Sequence, residues 1–128
     1  MPADLVVGVG ASSGADPGAL ADLVGATLAA AGLQAGDVVA VATVDLKAQE
    51  PAVVALAGSL GVELLTFTPA ELARQDVPTP SDVVAAAVGT PSVAEAAALL
   101  AAGPGAELVV AKQRTSDATT AIARRAIP

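Results

Sequence analysis

The chain has 128 residues, the length of one ordinary domain, and 54% of them are hydrophobic while 15% are charged. It contains no His and no Cys, which excludes zinc sites of the usual ligand types, His-based catalytic triads, cysteine nucleophiles and disulfides. A single Phe without Trp or Tyr, and a formal net charge of −7, argue against a protein that binds nucleic acid by base stacking or phosphate contacts.

The chain begins with an apolar strand and a helix whose ends are marked in the sequence. Residues 5–9 form a continuous apolar run, ending in Gly10, that predicts a buried strand, and residues 11–15 form the loop after it. Asp16 and Pro17 suit the N-cap and the first position of a helix. Apolar residues then recur at i, i+3 and i+4 until Gly32, which predicts the end of the helix.

A second strand and helix follow in the same pattern. The uninterrupted apolar run over residues 38–44 predicts a strand buried on both faces, which is typical of a parallel sheet. The polar segment 45–50 follows, and then Pro51 begins a helix that Gly61 ends. A third strand is predicted over residues 63–67.

The middle of the chain contains two capping boxes and a loop. Residues 68–71 and 92–95 each place Ser or Thr three positions before Glu, which predicts the start of a helix. Residues 76–80 are the most loop-like stretch, and a short helix is predicted over residues 81–89. The second capping box begins a helix that extends to about Ala102.

Two more strands complete the predicted fold. They cover residues 107–111 and 118–124, and a polar loop over residues 112–117 joins them. The alternation of strands and helices predicts a three-layer α/β/α architecture with a mostly parallel sheet of about five strands. We expect the last strand to lie antiparallel at the edge of that sheet, and the chain to form one domain over residues 1–128.

Three polar loops follow the predicted strands at the sheet edge where ligands bind in open α/β folds. In the first, residues 8–14, glycines allow backbone N–H groups to approach an anion. As a dinucleotide fingerprint the loop is poor, because Ser13 stands where the third Gly belongs. Nucleotide binding and a plain strand–helix turn both remain open interpretations of this loop.

The other two loops bring together charges and hydroxyls. The second loop contains Thr43, Asp45, Lys47 and Glu50. It could also be a structural loop in which Asp45 and Lys47 form a surface ion pair, worth about 0–1 kcal/mol, while Glu50 caps a helix. In the third loop, Lys112 and Arg114 could hold carboxylates with help from hydroxyl groups, or the loop could be a solvated turn.

Taken together, these segments resemble the CobE/CbiG C-terminal domain family of cobalamin biosynthesis, over about residues 5–124. The resemblance is carried by four segments: Gly8-Val9-Gly10, residues 42–51, residues 91–99 and residues 112–124. One departure is clear. The family typically continues its glycine turn with a Cys-Arg-Arg-Gly-like stretch, whereas this chain has Ala-Ser-Ser-Gly, so no role of that cysteine or those arginines is carried over.

The resemblance implies a ligand from the corrin pathway, a macrocycle that carries many carboxylates. The missing Cys-Arg-Arg stretch, together with the cation-bearing loops, favours an accessory or carrier protein for a precorrin or corrinoid intermediate. The alternative is a hydrolase that opens the ring lactone of cobalt-precorrin-5A and releases acetaldehyde, with Asp45 or Glu50 as the base and Lys47 stabilising the oxyanion. The residues expected to contact the ligand are Gly8, Gly10, Ser12, Ser13, Thr43, Lys47, Ser92, Glu95, Lys112, Arg114 and Thr119.

The remaining expectations concern partners and location. Besides the corrinoid, the open partners are another enzyme of the pathway and a second copy of the chain, packed through its Ala-rich helices. We expect no nucleic-acid partner, no metal site and no cofactor. No signal peptide is recognised, and no apolar run reaches the roughly 18 residues of a membrane span, so we expect a cytoplasmic protein.

Overall fold

A computed structural model describes residues 4–75, 93–115 and 117–126. Its strands are β1 (Leu5–Ala11), β2 (Val38–Val44), β3 (Glu63–Phe67), β4 (Glu107–Arg114) and β5 (Ala118–Arg124). They form one sheet in the order β3-β2-β1-β5-β4. The first three strands are parallel, whereas β5 is antiparallel to both β1 and β4. Four strands therefore point in one direction, and β5 points in the other.

Helices cover both faces of this sheet and complete the three layers that the sequence predicts. They are α1 (Pro17–Ala30), α2 (Pro51–Leu60), α3 (Pro69–Ala73) and α4 (Val93–Ala102). On one face, α1 and α2 pack against Val7, Val9 and Ile122. On the other face, α3 and α4 pack against Val6 and Ala42. Alternate residues of β1 therefore face opposite cores, as the pleat of a strand requires.

The helix ends lie where the local sequence places them. The Asp16 side chain accepts a hydrogen bond from the Ala19 N–H at 2.9 Å, which caps α1. Gly61 ends α2 in the left-handed conformation, at a φ of 69°. The capping box predicted from Thr68 to Glu71 forms with both of its reciprocal hydrogen bonds.

Small residues let α4 lie directly on β1. A Cβ added to Gly8 would approach the Ala94 carbonyl oxygen too closely, and it would come within 2.8 Å of the Ala98 backbone nitrogen. Ala94 and Ala98 are themselves fully buried. Glycine is therefore needed at this position so that helix and strand can approach.

Two predictions about the last strands are wrong. β5 lies inside the sheet between β1 and β4, so β4 is the edge strand. The side chains give the reason, because Ala121, Ile122 and Ala123 are fully buried while the exposed end of β4 carries charge, as edge strands commonly do. In addition, Lys112 to Arg114 belong to β4 rather than to a loop, so the turn is shorter than predicted.

Some predictions fall outside the part of the chain that the structure describes. These are the loop over residues 76–80, the helix over residues 81–89, and Ser92 in the second capping box. Within the described ranges, no helix combines the length and the apolar character that crossing a membrane requires.

Candidate functional site

The candidate site lies where β1, β2 and β4 end. After β1, the chain adds β2 and then β3 to one edge of the sheet. It then passes through α4, which lies on the face opposite α1 and α2, to β4 at the other edge. The strand order therefore switches beside β1, the position at which open α/β sheets form a crevice. We call this region the rim, and define it as residues 10–14, 43–50 and 112–119 without residue 116.

Hydrogen bonds join the first two loops of the rim. The Gly14 N–H donates to Glu50 Oε1 at 2.7 Å, and Lys47 Nζ donates to Ser13 Oγ at 3.1 Å. Beneath them, the fully buried Thr43 hydroxyl donates to the Val9 carbonyl at 2.8 Å. Segments that are 34 to 36 residues apart in sequence therefore form one surface.

The first loop is also joined to the turn between β4 and β5. The Ser12 N–H donates to the Asp117 carbonyl at 2.8 Å. Gly10 pairs with Thr119 across the ladder, and a Cβ at Gly10 would lie 2.8 Å from the Thr119 hydroxyl oxygen. Gly10 thus leaves room for that hydroxyl. All three polar loops predicted from the sequence meet at one rim.

The rim contains three cations and three carboxylates, Asp45, Glu50 and Asp117. Among the described residues, no carboxylate forms a salt bridge with Lys47, Lys112 or Arg114. A salt bridge that does form in the described part of the chain, between Arg124 and Asp4 at 3.2 Å, lies at the opposite end of β1 and β5. Because β2 and β4 are three positions apart in the strand order, the ends of these two strands are separated by about 14 Å.

The structural interpretation of the second loop, with an Asp45–Lys47 ion pair and a helix cap by Glu50, is wrong. Lys47 donates to Ser13 instead of pairing with Asp45, whose side chain is exposed. Glu50 stands at the N-cap position of α2, but its side chain makes no capping hydrogen bond and turns to Gly14 instead. The side chains of Lys47 and Glu50 therefore hydrogen-bond the second loop to the first.

Three of the predicted contact residues, Gly8, Glu95 and Thr43, lie in the interior. Gly8 is covered by α4. Glu95 is fully buried on α4, where its Oε2 accepts a hydrogen bond from the Lys112 N–H at 2.8 Å. Thr43 is likewise buried. These residues support the rim from below, and Ser92 lies outside the described residues.

Sequence reasoning missed one residue of the rim. Leu46 stands between Asp45 and Lys47 in a short 3-10 helix, and 73% of its surface is exposed. An apolar side chain isolated among charges is the signal that could have indicated it. The described residues contain no group of three or more acidic side chains placed to hold a metal ion.

The family can now be established. The protein-family sequence model described as "Cobalamin synthesis G C-terminus" matches residues 5–123 of this chain. The chain belongs to this family. Among curated proteins, it is 37% identical over 123 residues to Protein CobE of Sinorhizobium sp, covering 94% of this chain and 80% of that protein. It is also 29% identical over 122 residues to the cobalt-precorrin-5A hydrolase of Priestia megaterium, covering 95% of this chain but only 32% of that protein.

Solved structures agree with this assignment. A crystal structure of CobE, a protein from the cobalamin biosynthetic pathway, superimposes with a TM-score of 0.91 at 33% identity, covering 99% of this chain and 97% of that one. The cobalamin biosynthesis protein chiG from Agrobacterium tumefaciens gives a TM-score of 0.73 at 32% identity, with coverage of 96% and 99%. The resemblance predicted from sequence is confirmed, and the chain is a cobalamin biosynthesis protein of the CobE/CbiG C-terminal type.

Proposed function

We propose that this protein binds a polycarboxylate corrin intermediate at the rim and acts as an accessory or carrier factor. The observation that carries the proposal is a set of three rim cations, on segments that hydrogen bonds hold together, with which no carboxylate among the described residues forms a salt bridge. Carboxylates on opposite sides of a macrocycle could reach Lys47 on one side and Lys112 or Arg114 on the other. Leu46 offers the ring an apolar contact.

Electrostatics decides how this binding depends on salt. The whole molecule has a net charge of −7, so a polyanion is attracted only close to the rim cations. Such contacts at a solvent-exposed surface are screened when the Debye length falls from about 10 Å at 0.1 M salt to about 3 Å at 1 M. Binding should therefore be tightest at low ionic strength.

A titration with two matched corrins tests the proposal. Cobyrinic acid carries free carboxylates, and its full methyl ester has the same macrocycle without them. We expect the acid to bind more tightly than the ester at low salt, and this preference to shrink as salt rises. Equal affinity of the two compounds, or no binding of the acid at low salt, would overturn the proposal.

Charge variants then locate the contact. Lys47→Ala and Lys112→Ala should each weaken binding of cobyrinic acid by about fivefold, the effect of about 1 kcal/mol. Arg125→Ala is the matched control, because it removes the same charge from an exposed residue at the opposite end of β5. A loss in the control equal to the loss in the rim variants would contradict binding at the rim.

Lactone hydrolysis is the second candidate function, and the exposed Asp45 beside Lys47 is the observation that favours it. Glu50 suits the role of base less well, because its carboxylate already accepts the Gly14 N–H. Turnover of cobalt-precorrin-5A by this protein, abolished in Asp45→Asn, would establish this alternative. Turnover that survives both Asp45→Asn and Glu50→Gln would remove the mechanism.

A further inference from the structure

β4 has two irregularities in its pairing with β5, one between Leu108 and Val110 and one between Val110 and Gln113, and the second determines which face its cations occupy relative to Val110. Val110 pairs with Ile122, and Gln113 pairs with Thr120, so Ala111 and Lys112 lie together opposite the single residue Ala121. One extra residue reverses the in-and-out alternation of every residue beyond it. The first irregularity moves Val109 and Val110 to the face of α1 and α2, away from the α4 face on which Leu108 packs. The Ala111–Lys112 bulge reverses the phase again, so Arg114 returns to the face of Leu108.

The reversal places Arg114 on the face of α4. Arg114 pairs with Thr119, whose hydroxyl lies beside Gly10 on the α4 side of β1. Without the extra residue, regular alternation from Val110 would put Arg114 on the face of α1 and α2, where Val110 itself packs. The bulge thus puts Arg114 on the same face of the sheet as Thr119, at the rim.

Glu95 is placed to hold this bulge. Its carboxylate is fully buried, and Oε2 accepts the Lys112 N–H, the backbone donor of a bulge residue, at 2.8 Å. A buried backbone donor left without an acceptor costs about 1–3 kcal/mol, so a side chain that accepts this hydrogen bond favours the bulge at this position over a regular ladder.

We propose that Glu95 is a positioning residue for ligand binding, which fixes the Ala111–Lys112 bulge and through it directs Arg114 and Lys112 into the rim. This inference rests on the proposed function of the rim. What matters for this role is that a side-chain oxygen reaches the Lys112 N–H, and the negative charge of Glu95 is not required.

Two conservative variants of Glu95 distinguish the effect of its side-chain length from the effect of its negative charge. Glu95→Gln keeps the length of the side chain and an acceptor oxygen but removes the charge. Glu95→Asp keeps the charge but shortens the side chain by one methylene. We expect Glu95→Gln to bind cobyrinic acid within about twofold of the unmodified protein, and Glu95→Asp to bind it about fivefold more weakly. Full affinity in Glu95→Asp with loss in Glu95→Gln would overturn the proposal.

Double variants provide the readout that simple destabilisation would not change. Because Glu95 acts through β4, the losses in Glu95→Asp and Arg114→Ala should not add when combined. The losses in Glu95→Asp and Lys47→Ala should add, since Lys47 lies on the other side of the rim and is held by Ser13. Additive losses in both pairs would contradict the positioning role while leaving the proposed function intact.

Hydrogen exchange tests the same role if cobyrinic acid does not bind at all, an outcome that would overturn the proposed function by itself. The Lys112 amide should be protected in the unmodified protein and in Glu95→Gln, and should exchange faster in Glu95→Asp. Equal protection in all three proteins would overturn the assignment of Glu95 to the bulge.

Discussion

The Glu50 side chain joins two loops of the rim that are far apart in sequence. It follows a polar loop and precedes Pro51, so its sequence position predicts a helix cap. Its actual partner is the Gly14 N–H, 36 residues away in sequence. Local rules predict caps because the partner lies within one helical turn, but they contain no information about a partner on a neighbouring strand.

Removing the Glu50 carboxylate should loosen the contact between the first two loops. We expect Glu50→Ala to lower the free energy of unfolding by about 1 kcal/mol, and Glu50→Gln to have a smaller effect because an amide oxygen can accept the same hydrogen bond. Urea denaturation measures the stability, and hydrogen exchange at the Gly14 amide measures the contact. An amide that exchanges at the same rate in all three proteins would contradict this account of the loop.

A second prediction concerns the glycine beneath α4. Gly8→Ala should lower the free energy of unfolding by about 1–3 kcal/mol, because the new methyl group meets the backbone of α4 rather than a movable side chain. Gly25→Ala is the matched control, since Gly25 lies on the exposed face of α1 and a methyl group there meets nothing within 4 Å. It should raise stability by about 0.5–1 kcal/mol. If both variants had the same melting temperature, the close approach of α4 to β1 would be wrong.

At the scale of secondary structure, helix boundaries followed from the sequence, whereas strand order did not. Asp16, Gly61 and the capping box at Thr68 are local signals, and each marks the observed end of a helix. The position of β5 depends on pairing with β1, whose residues are more than 100 positions away in sequence. A fully apolar Ala-Ile-Ala segment was nevertheless a sign of an internal strand, and it argued against the predicted edge.

A matched pair of substitutions tests that strand order. Ala121 in β5 is fully buried, and the exposed Ala111 lies opposite it at the bulge of β4. Ala121→Val should lower the free energy of unfolding by about 1–3 kcal/mol through overpacking. Ala111→Val should change it by less than about 0.5 kcal/mol, as expected at an exposed site. Equal losses measured by urea denaturation would contradict the internal position of β5.

For the molecule as a whole, the strand order brings residues that are far apart in sequence together at the candidate site. The sequence located three polar loops, and the rule for parallel strands predicted that they would meet. The sequence could not reveal that Glu95 lies in the interior, because a carboxylate in an Ala-rich helix has no local sign of burial. It also could not reveal that Lys112 belongs to a strand, since the bulge beside it depends on the partner strand.

The central claim is that these separate loops contact one polyanionic ligand together. The most direct measurement is an NMR titration of the isotope-labelled protein with cobyrinic acid at low salt, following the backbone amides. We predict that the amides of Ser13, Lys47, Lys112 and Thr119 shift together with one dissociation constant, while that of Arg125 at the opposite end does not shift. Shifts confined to a single loop, or centred on the end that holds Arg125, would contradict the claim.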